Sequence, residues 1–106
     1  MIWTSADPDV AKRVCFMYTH AAKKQKWFDE VTLIVWGPSA RLLAGDKDLQ
    51  AEVKTMAADG VVVVACQACA DSYGVTPQLR ALGRPLGRVG HGGTDMLKRD
   101  WKVLTF

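Results

Sequence analysis

Apolar residues fall along this chain either in short unbroken runs or in stripes with helical spacing. The runs are Val31 to Trp36 (VTLIVW, with Thr32 the one interruption) and Val61 to Cys66 (VVVVAC). A strand with one face in water alternates apolar and polar residues, so continuous runs rich in β-branched residues predict strands buried on both faces, as in parallel sheets covered by helices. MIWTS at the start is a shorter run of the same kind. Between the runs the period changes. Asp7 is placed to cap a helix, with Pro8 at its first position and Asp9 favoured by the positive end. Val10, Val14, Met17 and Ala21 recur at four, three and four residues and predict its buried stripe. Cys15 falls on a flanking stripe with Ala11, Tyr18 and Ala22 and reads as an inert packing residue. GPSARLLAGD breaks the second strand. Ser39 is placed to open a short helix, and Asp48 to cap a longer one with the stripe Leu49, Val53 and Met56 and a stop at Gly60.

After the third strand, a helical turn is expected to end near Gly74, and Thr76 with Pro77 to begin another helix that stops at Gly83. Residues 84–93 (RPLGRVGHGG) carry Pro85 and four glycines, which predicts a poor strand or a mobile loop. Thr94 is placed to cap a last short helix through Lys98, and WKVLTF reads as a final strand. The alternation of continuous apolar strands with helices predicts an α/β fold, a three-layer α/β/α sandwich on a mostly parallel sheet of four to five strands with right-handed crossovers.

Composition narrows the functional classes. The 106 residues, 49% of them apolar and 24% charged, suit one domain over residues 1–106 with one core. A net charge of +3 on scattered lysines and arginines forms no basic patch, so no nucleic-acid partner is expected. The apolar runs are far shorter than the about 20 residues that cross a bilayer, and the opening residues lack a basic segment followed by an apolar one. A cytoplasmic protein is the expectation. There thiols stay reduced, and a close cysteine pair serves catalysis or metal binding more often than a structural bridge.

In a parallel sheet the segments that follow each strand gather at one edge, where open α/β sheets bind ligands. Those segments are Trp3-Thr4-Ser5, Trp36-Gly37-Pro38-Ser39 and Cys66-Gln67-Ala68-Cys69. The expected pocket is therefore lined by Trp3, Thr4, Ser5, Trp36, Gly37, Ser39 and Gln67 around the Cys66 thiol. Cys66 would face the amino end of the next helix, where free N–H groups stabilise a thiolate, with Cys69 one turn away. Four readings compete at this point: two inert packing cysteines, a dithiol redox site, a metal site and a nucleophile. Gln67-Ala68 lacks the proline usual in thioredoxin-like motifs. A tetrahedral metal needs ligands beyond this pair, with only His20 and His91 to add, so no metal and no cofactor is expected. His91 and His20 read as solvated side chains, and Arg41 as solvent-facing or placed to contact an anion at the same edge.

The blocks IWTSADPDVA, EVTLIVWGPSARLLAGD, ACQACADSYGV and GTDMLKRDWKVLTF together resemble the DsrE/DsrF-like family of small sulfur-relay proteins, over most of the chain. The resemblance implies trimers, hexamers or heteromers of related subunits, and donor and acceptor proteins as partners. In sulfur-transferring members a cysteine at a strand end, followed eight and nine residues later by glycine and valine, carries sulfur as a persulfide. Cys66 with Gly74 and Val75 matches that pattern, and Cys69 is then an auxiliary or resolving thiol. The likeness implies a sulfur carrier or sulfurtransferase. The alternatives are a non-catalytic ligand-binding or assembly subunit of the same fold, or a Cys66/Cys69 thiol-disulfide switch. Two features depart from the family pattern: Met1 already lies inside the first strand, and the usual fourth strand is replaced by the glycine-rich stretch.

Overall fold

In the computed structural model, which describes residues 1–83 and 85–106, the two β-branched runs become the central strands of a parallel sheet. β1 is Ile2–Trp3, β2 Thr32–Val35, β3 Val62–Cys66 and β4 Leu86–Gly87, and they lie in the order β1-β2-β3-β4. Thr32 to Val35 pair in register with Val62 to Ala65, Trp3 pairs with Val35, and Cys66 pairs with Gly87. The helices are α1 (Pro8–Val10), continued by a π-helical segment (Ala11–Phe16) and α2 (Met17–Lys24), then α3 (Pro38–Gly45), α4 (Lys47–Ala58), α5 (Gln67–Tyr73), α6 (Thr76–Ala81) and α7 (Val89–Lys98).

This strand order dictates an uneven sandwich. Each step from β1 to β4 moves one place in the same direction, so right-handed crossovers put all three sets of connecting helices on one face. The chain then returns through α7 to the β1 edge. That reversal puts α7 on the other face. The burial pattern agrees: Leu33, Val35, Val63 and Ala65 join Trp3, Leu43, Leu49, Val53, Met56 and Leu79 in the main core. Ile34 and Cys66, pointing the opposite way, join only Val89 as buried residues, with Trp36, Val64, Cys69 and Met96 packed around them.

Several local expectations change. The stripe Val10, Val14, Met17, Ala21 is not the buried one: Val14 and Met17 are exposed, and Ala11, Cys15, Phe16, Thr19 and Ala22 are buried. The helix packs this face over Trp3, whose ring meets Phe16 edge-on with centroids 4.9 Å apart. The π-helical segment also widens the turn, bringing both Cys15 and Phe16 into line with Ala11. Asp46, not Asp48, caps α4 by accepting the Leu49 N–H. The stripe Leu49, Val53, Met56 is buried.

Of the glycine-rich stretch, Arg84 lies outside the described residues, Leu86–Gly87 form β4, and α7 begins at Val89 rather than at Thr94. Thr94 sits inside the helix and its hydroxyl bonds the Gly90 carbonyl. Glycine inside a helix costs about 1 kcal/mol relative to alanine, so Gly90, Gly92 and Gly93 argue against a helix locally, and tertiary packing of Val89 and Met96 on the sheet overrides them. WKVLTF forms no full strand. It adds one parallel bridge, Ile2 with Thr105, and hydrogen bonds that tie Ile2 and Thr4 to Leu104 and Phe106 along the β1 edge. Among the described residues no helix is long and apolar enough to cross a membrane.

Candidate functional site

β2 and β3 are paired in register, so their carboxyl ends deliver Trp36-Gly37 and Cys66 side by side. Cys66 keeps extended backbone angles and stands as the N-cap of α5, its Sγ accepting the Cys69 N–H at 3.4 Å. The sulfur occupies the place that a serine or aspartate oxygen takes in an ordinary cap. Cys69, one turn into α5, in turn accepts the Gly37 N–H at 3.2 Å. Gly37 has φ +73° and ψ −139°, a conformation that a side chain would strain, and it is this backbone that turns its amide toward the sulfur. Gly74, at φ +69°, closes α5 with its N–H on the Ala70 and Asp71 carbonyls. The result is a chain of two amides and two sulfurs running from the end of β2 to the end of β3. Both thiols are free.

Burial pushes the Cys69 thiol above its ordinary value, and its hydrogen bond to Cys66 and the repulsion from charge there push it the same way, against the Gly37 amide. The third cysteine is different in kind. Cys15 is wholly buried, and its thiol is raised to about 11, chiefly by burial.

Cys66 is also more enclosed than its place at a strand end suggests. Only 5% of it is exposed, and Ile34, Val64, Val89 and Met96 pack about it on the α7 face. Cys69 is half-buried. Nothing in the continuous apolar run of β3 reveals which face a residue takes. The signal was parity: Cys66 shares its face with Val64, and the α7 residues that enclose it come from the stretch whose glycines hid the helix.

The remaining residues expected around the thiol divide. Trp36 and Gly37 stand beside the pair. Trp3 does not: its indole is wholly buried in the main core on the opposite face, its Nε1 without a hydrogen-bond partner among the described residues. Ser39 is a buried brace, its hydroxyl bonded to the Trp3 and Trp36 carbonyls and its N–H to the Thr4 carbonyl. The Thr4 hydroxyl is committed to the Phe106 carbonyl and the Ser5 hydroxyl to the Asp7 N–H. Gln67 reaches along α5 to Asp71, whose carboxyl is held below its ordinary value by the Thr76 hydroxyl first and by Gln67 second.

The other singled-out residues lie elsewhere. Arg41 stacks over the Tyr73 ring at 5.3 Å, His20 pairs with Asp59, and His91 is exposed on α7. Among the described residues no three His, Cys, Asp or Glu side chains converge as metal ligands.

A parallel α/β/α sandwich carrying two free, hydrogen-bonded thiols at the carboxyl edge of its sheet defines a class of small cysteine-bearing domains. The chain belongs to the DsrE/DsrF-like family, whose model matches residues 2–106. A solved structure of a conserved protein of unknown function from Bacteroides thetaiotaomicron is similar to it, with a TM-score of 0.94 and 30% identity over 99% of this chain and 90% of that one. No curated protein matches the chain.

Proposed function

We propose that the protein is a sulfur carrier that holds sulfane sulfur as a persulfide on Cys66, with Cys69 as its auxiliary thiol. The observation that carries this reading is the linked pair: the Cys69 amide donates to the Cys66 sulfur, and the Gly37 amide to the Cys69 sulfur. Membership of the DsrE/DsrF-like family supports it. The Cys66 thiolate attacks the outer sulfur of a donor persulfide. The donor S–S bond breaks, a new S–S bond forms on Cys66, and the donor leaves as a thiolate. An acceptor thiolate then takes the outer sulfur by the same exchange and restores the Cys66 thiolate, so neither step needs an external oxidant. Cys69 offers a second exit. Once deprotonated it attacks the Cys66 sulfur, expels hydrosulfide and leaves a disulfide that an external thiol must reduce. Sulfur donor and acceptor proteins are the partners this chemistry requires.

Mass spectrometry after incubation with an organic hydropersulfide tests the carrier role. One added sulfur on the Cys66 peptide is expected, with complete loss in Cys66→Ser and retention in Cys15→Ala. An unloaded Cys66, in conditions where a control carrier loads, would rule the role out.

A second reading, an assembly subunit, draws support from the α7 face. There an apolar groove of about 610 Å³ runs between the first two strands and α7, with Ile34, Trp36, Met96 and Trp101 among its walls. Leu97, Val103 and Leu104 are exposed around it. Self-association of this face into a homo-oligomer would cover that surface. Light scattering of the wild type and of Leu97→Asp is the check, with the variant expected to be the smaller particle.

A further inference from the structure

The sulfur chemistry assigned to Cys66 requires access that the closed structure denies, since 5% of the residue is exposed and Val89 is buried in the same cluster. We propose that the first turn of α7, Val89 to Gly93, is a gate over Cys66 that opens by local unwinding and so sets how fast a donor reaches the thiol. The inference rests on the reading of Cys66 as the reactive thiol and adds to it the element that regulates the site.

The composition of this turn is the argument. Three of its five residues are Gly90, Gly92 and Gly93, and none of them has a positive φ that would require glycine. Nor does space require it, because a Cβ built at any of the three would meet nothing within 4 Å. Glycine here serves neither backbone sign nor close approach within the chain; at Gly90 and Gly93 it leaves the groove open, and at all three positions it loosens the helix. The start of α7 is weak for two further reasons. Arg88 at the N-cap makes no side-chain hydrogen bond to the first turn. Thr94 back-bonds to the Gly90 carbonyl, a contact that tends to bend helices. One buried residue, Val89, holds the turn down. Gly87, which pairs with Cys66 itself, lies two residues before Val89, so the sheet ends just before the turn begins. Unwinding from Val89 to Gly93 would lift Val89 off Cys66 and leave the strand pairing intact.

The test reads accessibility rather than sulfur transfer, so it stands or falls apart from the carrier role. Alkylation of each cysteine by a small neutral maleimide is followed by peptide mass spectrometry in the wild type, in Gly92→Ala/Gly93→Ala and in Val89→Ala. Each alanine favours the helix by about fivefold, so the double variant should slow Cys66 labelling on the order of tenfold or more. Val89→Ala should speed it several-fold, while Cys15, wholly buried in the main core, changes little. Hydrogen exchange of the residue 89–93 amides reports the gate directly and should slow in parallel. Cys66 labelling that stays constant while those amides gain protection would overturn the gate. So would equal changes at Cys66 and Cys15, which would point to global unfolding instead.

Discussion

The two faces of the sheet are built by different rules. One receives three crossovers and most of the buried side chains, and the other receives a single returning helix whose first turn is mostly glycine. Residues adjacent in sequence fall on opposite sides of this division: Leu33 faces the deep core, and Ile34 faces α7 and the groove. The lesson concerns where stability is kept and where the proposed sulfur chemistry would sit. The face that holds the fold together contains the wholly buried Cys15, and the thinly covered face contains Cys66.

The contrast can be broken most sharply by paired truncations. Leu33→Ala should cost about 3 kcal/mol and lower the melting temperature by some 12 to 20 °C, because it leaves a cavity in a region that cannot collapse. Ile34→Ala should cost about half as much, since α7 and the groove can relax around it. Equal losses in thermal melts of the two variants would mean that the faces are not unequal. The next effect separates the cysteines by pH. In the folded protein Cys15 ionises near 11, above the value of about 9 for a free thiol, so the folded state retains a proton that the unfolded chain gives up. The stability linked to that proton is present in full below about pH 9 and disappears between pH 9 and 11, by on the order of 2 kcal/mol. Chemical denaturation across that range should show the fall in the wild type and a smaller fall in Cys15→Ala, the remainder coming from Cys69, whose thiol is also raised. The smallest effect belongs to a cap on the thick side: Asp46→Ala should cost about 1 kcal/mol by leaving the Leu49 N–H without its acceptor.

Much of this arrangement was legible from residue patterns, and the failures share a cause. Strands β2 and β3 announce themselves because unbroken β-branched runs suit few other structures, and α4 because Leu49, Val53 and Met56 have one regular spacing. Cys66 could be placed at a strand end for the same reason. A continuous run, however, carries no alternation, so it does not say which side each residue takes. That is why Trp3 reads as a rim residue although it lies beneath the sheet. In the first helix a regular period favours Val14 and Met17, but the π-helical segment shifts the phase and turns Ala11, Cys15 and Phe16 toward Trp3. In α7 local preference points away from a helix, and only contacts with distant strands reverse it.

The pairing of residues 104–106 with β1 has a consequence for how the molecule folds. Thr4 bonds to Phe106 across 102 positions of chain, so the β1 edge of the sheet is completed by residues remote from it in sequence. Until they arrive that border stays unpaired, an open template for foreign strands. Closing it over so long a separation belongs to the slow end of folding, which leaves this edge the one exposed longest to misassembly.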